Sequence, residues 1–258
     1  MNLLEKIIAI DVGNSFIKVK HHNSEEIRFI HSDEFTIDVL KKYIDVTDNN
    51  YSVVISSVDA DMESRLVNFF AENNTVVYLA DTLLRKQNII DFSNVKGMGN
   101  DRKVGLMGAI KFFDTPIITI DCGTAITINL LSKDNICLGG AIMCGVGTQT
   151  SALEYYTSSL PKVKIKLRSF NDIDNTEAAI NSGVFSMVRG GVMDFVTNMI
   201  NKKKLDKVNI VFAGGYGLFV HKLCEKKFNK ISVTSKINSV ELKNNIVLYG
   251  LEKLLEIN

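Results

Sequence analysis

The stretch IIAIDVGNSFIKVK places an acidic residue and a small-residue turn between two apolar segments. A tight hairpin containing Gly13 and Ser15 can aim backbone N–H groups at an anion. The Ser15 hydroxyl, the Asn14 amide and the Lys18 ammonium would add further donors. Asp11 repels a phosphate group, but it can hold one indirectly when Mg²⁺ or its bound water lies between them. Taken alone, the stretch favours an ordinary β-turn without a ligand.

The same layout returns about 110 residues later, in IITIDCGTAITINLL. Asp121 follows an apolar segment as Asp11 does, and Gly123 and Thr124 lead into a second apolar segment. A repeat of this period suggests two similar halves. With both copies present, a nucleotide held between two lobes explains the turns better than two unrelated β-turns do.

A third candidate region, FSNVKGMGNDRKVGLMGA, joins a glycine-rich loop to Asp101 and Arg102 at the predicted start of a helix. Asp101 is a good cap or first-turn residue there, because the helix dipole favours an acidic group. It can instead act as a general base for a substrate hydroxyl, with Arg102 holding an acidic group of the substrate. Phosphoryl transfer needs mainly positioning, charge neutralisation and such a base.

The elements that would position these residues alternate along the first half of the chain. We predict strands at 7–10, 16–20, 26–30, 52–56 and 75–79, and helices at 36–44, 61–71 and 101–113. In the second half we predict a strand running into a glycine-rich turn over 135–147, a strand ending in a diglycine over 207–217 and a helix over 244–256. This alternation predicts an α/β protein.

A long helix is also predicted over residues 175–200, where apolar residues recur at steps of three and four. Thr176 lies at its start, and capping the helix is the simplest role for that residue. The apolar stripe is broad. It predicts either a helix with one face on its own domain and another on a partner subunit, or a centrally buried helix.

Composition narrows the class of protein. The chain has 258 residues with a net charge of +1, which indicates neither a nucleic-acid partner nor a membrane surface. No apolar run approaches the roughly 18 residues that span a bilayer. Its four cysteines form no CxxC pair, and its four histidines show no metal-ligand spacing, so we expect a reduced cytoplasmic protein. The opening MNLLEKIIAIDVG is predicted to be a strand and not a signal peptide.

Taken in order, the motifs DVGNS, GNDR, DCGTA, GGAIMCG, NTEAAINSG and AGG resemble the type III pantothenate kinases over residues 7–251. That family belongs to the acetate and sugar kinase, heat-shock 70 and actin superfamily. The resemblance implies two ribonuclease H-like lobes, 1–115 and 116–258, each a mixed sheet flanked by helices, with a cleft between them. It implies ATP-dependent phosphorylation of pantothenate to 4′-phosphopantothenate, the first step of coenzyme A biosynthesis. A homodimer is implied, with Mg²⁺ and a monovalent cation, K⁺ or NH₄⁺.

The resemblance also implies roles for individual residues. Those that would bind ATP are Asp11, Val12, Gly13, Asn14, Ser15, Phe16, Ile17, Lys18 and Thr124. Those that would bind pantothenate are Phe92, Gly99, Asn100, Asp101, Arg102 and Thr176, the last at a site shared across the subunit boundary. Asp101 would be the catalytic proton acceptor. Asp121 would coordinate the monovalent cation, and Asp11 would act on Mg²⁺ through phosphate or water.

The chain departs from the family at three positions. Phe92 replaces a usual Tyr, and Val95 and Cys144 replace usual prolines. The missing Tyr hydroxyl removes one hydrogen bond, about 0.5–1.5 kcal/mol. The motifs therefore support phosphoryl transfer more strongly than they support the identity of the acceptor. Two alternatives stay open: a non-catalytic regulator that binds nucleotide, and a kinase for another small hydroxy acid.

Overall fold

A computed structural model describes residues 7–22, 24–44, 51–166 and 173–257. The N-terminal residues 1–6, on which the prediction of no signal peptide partly depends, lie outside this part of the chain. The chain divides into two compact units, Met1–Phe112 with Asn245–Asn258, and Phe113–Asn244. The first boundary lies three residues before the predicted one. The C-terminal segment belongs to the first unit, whereas we expected it in the second lobe.

The first unit contains a five-stranded mixed sheet in the order β3-β2-β1-β4-β5. Its strands are β1 (Ile7–Val12), β2 (Phe16–His21), β3 (Ile27–His31), β4 (Ser52–Ser57) and β5 (Val76–Leu79). β2 is antiparallel to β1 and β3, while β4 is parallel to β1 and β5. β1 is buried along its whole length, as expected for an apolar strand covered on both faces. These five predicted strands are confirmed to within two residues at each end.

The helices of this unit flank its sheet. In chain order they are α1 (Ile37–Lys41), α2 (Ala60–Glu72), α3 (Ala80–Lys86) and α4 (Asn100–Ala109). The helix predicted over 36–44 is shorter than expected, the one predicted over 101–113 ends at Ala109, and α3 was not predicted. α2 begins after Asp59, whose side chain accepts a hydrogen bond from the Met62 amide at 2.9 Å. That contact is a usual helix cap.

The second unit repeats the topology of the first, with a sheet in the order β10-β9-β6-β7-β8. Its elements are β6 (Ile117–Cys122), β7 (Ala125–Leu131), β8 (Cys137–Cys144), α5 (Val146–Tyr156), α6 (Thr176–Lys202), β9 (Val208–Ala213), α7 (Gly217–Phe228) and β10 (Ile237–Leu242). β6 is antiparallel to β7 and parallel to β9, as β1 is to β2 and β4. The predicted repeat is therefore confirmed in the strand order, and the α/β class with two similar mixed sheets is confirmed with it. The cleft expected between the lobes stays a prediction.

Helix α6 buries one face in the second unit. Its buried residues recur every four positions and pack in the same core as β6 and β9: Ile180, Val184, Val188, Val192, Val196 and Ile200. Met187, on another face, is 68% exposed. This one-sided burial excludes the centrally buried helix that the sequence left open.

The chain ends in α8 (Ile246–Ile257), which packs against α4 in the first unit. The two helix backbones approach closely at two glycines. A Cβ atom at Gly108 would collide with the Ile246 backbone, and one at Gly250 would collide with the Val104 backbone. This contact explains why the C-terminal helix belongs to the first unit. Among the described residues, no helix combines the length and the apolar character needed to cross a membrane.

Candidate active site

Asp11 and Lys18 face each other across the hairpin of β1 and β2. The two residues are paired in the strand register, and Lys18 Nζ lies 3.0 Å from Asp11 Oδ2. Asp11 is only 5% exposed. Burial raises the pKa of its carboxyl, Lys18 opposes that effect, and the nearby charge of Asp101 adds to it. The ionised form of Asp11 is therefore only partly compensated within the protein.

The turn between these strands is held by Ser32, which follows β3. The Gly13 amide donates to Phe16 O at 3.0 Å, the Ser32 amide donates to Ser15 O at 3.0 Å, and the Ser32 hydroxyl lies 3.3 Å from Gly13 O. A peptide unit is planar, so its N–H points away from its C=O. Holding Gly13 O on the Ser32 side therefore turns the Asn14 N–H to the other side. This is how a phosphate-binding turn would need to present its amides.

The remaining residues predicted to bind ATP in this turn differ in exposure. Val12 is 2% exposed and Ile17 is fully buried in the core of the first unit, so their side chains face away from solvent. Phe16 is exposed, with its ring edge-on to Phe29 and His31. Val12 and Ile17 can therefore contact a nucleotide only through their main chain.

Asp101 is the second residue of α4, which begins at Asn100 directly after Gly99. Gly99 occupies the N-cap position without a side-chain cap, so Asp101 is the first-turn residue and not the cap itself. A Cβ atom at Gly99 would lie 2.6 Å from Asp101 Oδ1, which shows that the carboxylate folds back over this glycine. The charge of Asp101 contributes to raising the pKa of Asp11, so the two carboxylates interact within the first unit.

Other predicted substrate residues surround the same end of α4. Asn100 is the first helical residue, and Arg102 follows Asp101; both are half-buried. Phe92 is half-buried in the loop before the helix, and its ring centre lies 5.7 Å from the ammonium of Lys103. The structure therefore brings these predicted residues together around the start of α4.

In the second unit, the turn between β6 and β7 is held in a comparable way. The Gly123 amide donates to Ala125 O at 3.0 Å. Thr124 O accepts hydrogen bonds from the Gly145 amide at 3.0 Å and from the Thr148 hydroxyl at 2.6 Å. Gly145 caps α5, so the start of that helix is attached to the turn.

Asp121 lies at the end of β6 beside the glycines that follow β9. Gly214 has a φ of +87°, and a Cβ atom there would collide with Asp121 Oδ1 and with the Cys122 backbone. The Tyr216 amide donates to Cys122 O at 2.9 Å. The AGG motif is therefore packed on the Asp121 turn, where a residue larger than glycine would not fit.

Thr176 does not cap α6, contrary to the simplest expectation from the sequence. The N-cap is Asn175, whose side chain accepts a hydrogen bond from the Ala178 amide at 2.9 Å. Thr176 is the first residue of the helix and is exposed. Capping therefore does not account for Thr176.

Sequence reasoning missed Ser32 and Thr148, although each contacts a predicted turn. Ser32 is 19 positions from Gly13, and Thr148 is 24 positions from Thr124. Neither residue belongs to a pattern at helix or strand spacing. Only the pairing of β2 with β3 and the position of α5 bring them to the turns.

The sequence is similar to those of known proteins. The family model for type III pantothenate kinase matches residues 7–198. The type III pantothenate kinase of Finegoldia magna is 26% identical over 236 residues, covering 84% of this chain and 88% of that protein. That of Sulfurihydrogenibium sp. is 29% identical over 231 residues, covering 83% and 90%. That of Christiangramia forsetii is 25% identical over 257 residues, covering 97% and 98%.

Solved structures show the fold. A conserved protein of Campylobacter jejuni, assigned to the Baf family of transcriptional activators, has a TM-score of 0.60 at 18% identity and covers 96% of this chain and 97% of its own. The acetate kinase of Porphyromonas gingivalis has a TM-score of 0.52 at 11% identity and covers 98% of this chain and 99% of its own. The fold is thus that of the acetate kinase group. Because the family model covers most of the sequence, the chain belongs to the type III pantothenate kinase family.

Proposed function

We propose that this chain transfers the γ-phosphoryl group of ATP to the primary hydroxyl of pantothenate, giving 4′-phosphopantothenate and ADP. Family membership supports the reaction class and the acceptor. The observation that carries the proposal is that the charge of Asp101, after the larger effects of burial and of Lys18, also raises the pKa of the Asp11 carboxyl, since two charges interact in this way only when they are close. A base for the acceptor beside a turn for the phosphates is the arrangement that phosphoryl transfer requires.

In the proposed reaction, Asp101 accepts the proton of the pantothenate hydroxyl as its oxygen attacks the γ-phosphorus. The bond between that phosphorus and the bridging oxygen to the β-phosphate breaks, and ADP leaves with the bond's electron pair. The N–H groups of the turn, with Asn14, Ser15 and Lys18, stabilise the phosphate oxygens. Thr124, in the second unit, is proposed to contact ATP. The start of α4 favours the negative charge of Asp101.

Asp11 is the residue that would hold Mg²⁺, directly or through water. Its carboxylate is buried, and Lys18 only partly offsets the effect of burial on its pKa, so a divalent cation would add compensating positive charge there. Mg²⁺ held there would supply positive charge to neutralise the phosphate groups of ATP. Within the described residues, no group of three or more His, Cys, Asp or Glu side chains could hold a metal ion. Mg²⁺ is commonly held by one or two carboxylates together with substrate phosphates, which is the role proposed for Asp11.

Asp121 is proposed to hold K⁺ or NH₄⁺. Its carboxylate lies half-buried at the end of β6, and oxygen ligands suit hard cations. Gly214 leaves room for the carboxylate where any larger residue would displace it. The proposal predicts that activity in sodium buffer falls below activity in potassium or ammonium buffer, and that Asp121→Asn removes this difference.

A homodimer is also proposed, with Thr176 reaching the pantothenate site of the partner subunit. The support is a set of large apolar side chains that the second unit leaves exposed: Ile142, Tyr155, Tyr156, Ile173 and Met187. Such exposed apolar residues are typical of interaction surfaces. Light scattering on the purified chain measures its mass directly, and a mass of one chain would overturn this part of the proposal.

The activity itself is tested by measuring ADP in the presence of ATP, Mg²⁺ and K⁺, with and without pantothenate. We expect ADP release that depends on pantothenate. Asp101→Asn should lose this activity, while Asp61→Asn, which alters a first-turn aspartate of α2, should keep it. Both variants should stay within about 1 kcal/mol of the wild-type stability, the usual scale for a helix-end contact. Turnover only with another hydroxy acid, or nucleotide binding without turnover, would overturn the proposal.

A further inference from the structure

Ser56, near the end of β4, carries a buried hydroxyl without a partner. The residue is 1% exposed, and among the described residues its hydroxyl oxygen has no hydrogen-bond partner. Buried hydroxyls are normally hydrogen-bonded, because leaving water without a replacement partner costs free energy. Alanine would occupy this position without that cost. The hydroxyl therefore indicates a use that packing alone does not supply.

The strand register places Ser56 beside Asp11, on the side opposite Lys18. Asp11 pairs with Lys18 of the antiparallel β2 and with Ser56 of the parallel β4. Paired residues on neighbouring strands project from the same face of a sheet. Ile10 and Ile55, which pair one position earlier, both lie in the core on the other face. Neighbouring strands are about 4.7–4.9 Å apart, so the Ser56 hydroxyl is within reach of the Asp11 carboxylate.

Helices cover the face of the sheet that carries Asp11 and Ser56. The contact of Glu252 with Lys20 shows that α8 lies on this face, and α4 packs on both α8 and β4. Ser56 is thus enclosed by protein, and its partner must be a protein group or a bound ligand. The register offers the Asp11 carboxylate, which in the structure is paired with Lys18 at 3.0 Å.

We propose that Ser56 is a positioning residue, which holds Asp11 in place when Lys18 turns from Asp11 to the phosphate groups of ATP. Phosphate oxygens compete with Asp11 for the Lys18 ammonium. Rotation about the Cα–Cβ bond of Ser56 then lets its hydroxyl donate a hydrogen bond to the Asp11 carboxylate. The carboxylate keeps its orientation toward Mg²⁺. The inference rests on the proposed function, which assigns Lys18 to phosphate and Asp11 to Mg²⁺.

Folding stability measured without nucleotide tests this exchange of partners. Ser56→Ala alone should leave the urea midpoint unchanged or raise it, because the hydroxyl that is removed has no partner. In a Lys18→Met background, where Asp11 has lost the ammonium, Ser56→Ala should lower the midpoint, because the hydroxyl has become the partner of Asp11. This double-mutant cycle isolates the coupling between the two side chains. Equal effects of Ser56→Ala in both backgrounds would overturn the inference.

Ser57→Ala is the matched control at the next position of β4. Successive side chains of a strand point to opposite faces, so Ser57 does not face Asp11. Its hydroxyl donates to Asp59 O at 2.6 Å and accepts from the Asp59 amide at 3.0 Å. Ser57→Ala should therefore lower the midpoint by the same amount in both backgrounds and leave the need for Mg²⁺ unchanged.

Nucleotide binding supplies a second measurement, which does not depend on turnover. ADP with Mg²⁺ should raise the urea midpoint of the wild type, because a ligand of the folded chain stabilises it. Ser56→Ala should need about tenfold more Mg²⁺ to reach half of this shift, the scale of a hydrogen bond to a charged group. The shift produced by ADP in EDTA should be the same in both chains. Ser56→Thr keeps the hydroxyl and should return the need for Mg²⁺ toward the wild-type value.

The inference and the proposed function fail in different ways. A wild type that binds ADP with Mg²⁺ but shows no ADP release dependent on pantothenate would overturn the proposed function, while the Mg²⁺ titration would still decide the role of Ser56. An active wild type would overturn the inference alone if Ser56→Ala changed the need for Mg²⁺ no more than Ser57→Ala does. The same comparison decides the inference if Lys18→Met does not fold.

Discussion

Lys20 Nζ lies 2.5 Å from Glu252 Oε1, and this ion pair joins residues that are 232 positions apart. The two side chains are only 2% and 3% exposed. The other carboxylate oxygen of Glu252 faces Lys111 Nζ at 3.4 Å, and the Lys20 ammonium lies 5.3 Å from the ring centre of Tyr249. The pair attaches α8 to β2, the strand that follows the phosphate turn. The end of the chain therefore helps to hold the strand that carries Lys18.

Glu252→Gln is expected to destabilise the protein by about 3–5 kcal/mol, because removing one partner leaves the other charge buried and uncompensated. The measurement is the free energy of unfolding in urea. Glu256→Gln is the control, since Glu256 also contacts Lys111 but its side chain is 27% exposed; a pair of that kind contributes about 0–1 kcal/mol. Similar losses in both variants would show that the burial of Glu252 does not matter.

Asp11→Asn is expected to raise stability at neutral pH while abolishing kinase activity. The pKa of Asp11 is raised above its ordinary 3.8 by burial, against the opposing effect of Lys18. Ionisation of Asp11 therefore favours the unfolded chain, and this penalty is fully present above the folded-state pKa. As the pH falls through that pKa toward 3.8, folded wild type protonates Asp11 and the penalty disappears. The stability advantage of the variant should thus shrink as the pH falls from 8 through the folded-state pKa of Asp11 toward 3.8.

Asp91→Asn is the comparison variant, because ionisation of Asp91 affects folding stability in the opposite direction. A hydrogen bond from the Ser93 amide lowers the pKa of Asp91, so its ionised form favours the folded state. This contribution is present above the ordinary pKa and is lost as the pH falls through the folded-state pKa. Asp91→Asn should therefore be less stable than wild type at pH 8. Urea midpoints measured from pH 8 down to below 3.8 decide both cases, and an Asp11→Asn variant less stable than wild type at pH 8 would contradict the first.

Removing the hydroxyls that hold the two turns is expected to weaken ATP binding. Each of Ser32→Ala and Thr148→Val loses one hydrogen bond, about 0.5–1.5 kcal/mol, which is about a two- to tenfold rise in the KM for ATP. The larger effect should follow Thr148→Val, because its bond to Thr124 O is 2.6 Å while that of Ser32 to Gly13 O is 3.3 Å. Longer contacts are weaker.

Conservative variants distinguish the role of the Ser32 and Thr148 hydroxyls in holding the turns from a general loss of stability. Ser32→Thr and Thr148→Ser keep the hydroxyl and should restore the KM for ATP. Ser24→Ala removes a hydroxyl that accepts from the Glu26 amide at the other end of the β2–β3 pair, and it should leave the KM unchanged. An unchanged KM for ATP in both Ser32→Ala and Thr148→Val would show that the turns keep their shape without these bonds.

The features that could be predicted from the sequence are those determined by patterns of neighbouring residues. The strand at Asp11 and its repeat at Asp121 follow from apolar runs that end in an acidic residue, and both are confirmed as β1 and β6. The buried face of α6 follows from the spacing of its apolar residues. The position of Asp101 at the start of α4 could be predicted because a glycine-rich loop precedes the helix. Each of these features is set by residues close together in the chain.

The features of the fold that could not be predicted depend on contacts between residues far apart in the sequence. The position of α8 in the first unit is set by Glu252 with Lys20 and by the close approach at Gly108 and Gly250. The sequence of α8 shows an amphipathic helix but does not identify its partner. The repeat at Asp121 predicted two similar halves, but the match of β9 and β10 with β4 and β5 depends on strand pairing between distant segments.

Gly145→Ala should disturb the second turn, and the reason is space rather than backbone conformation. Gly145 has a φ of −69°, which any residue adopts. A Cβ atom there would lie inside contact distance of Gly123 O and Thr124 O, so alanine must displace either the start of α5 or the turn. Overpacking of this kind costs about 1–3 kcal/mol. Displacing Thr124 should also raise the KM for ATP.

Gly123→Ala, in the same turn, is the matched control for stability. A Cβ atom at Gly123 would meet Ala125 O at 3.7 Å, an ordinary contact that needs no displacement. We therefore expect Gly145→Ala to lower the urea midpoint clearly more than Gly123→Ala does. If the two midpoints were equal, the attachment of α5 to this turn would not depend on the missing Cβ at Gly145. The hydrogen bonds from the Gly145 amide and the Thr148 hydroxyl would then be its main support.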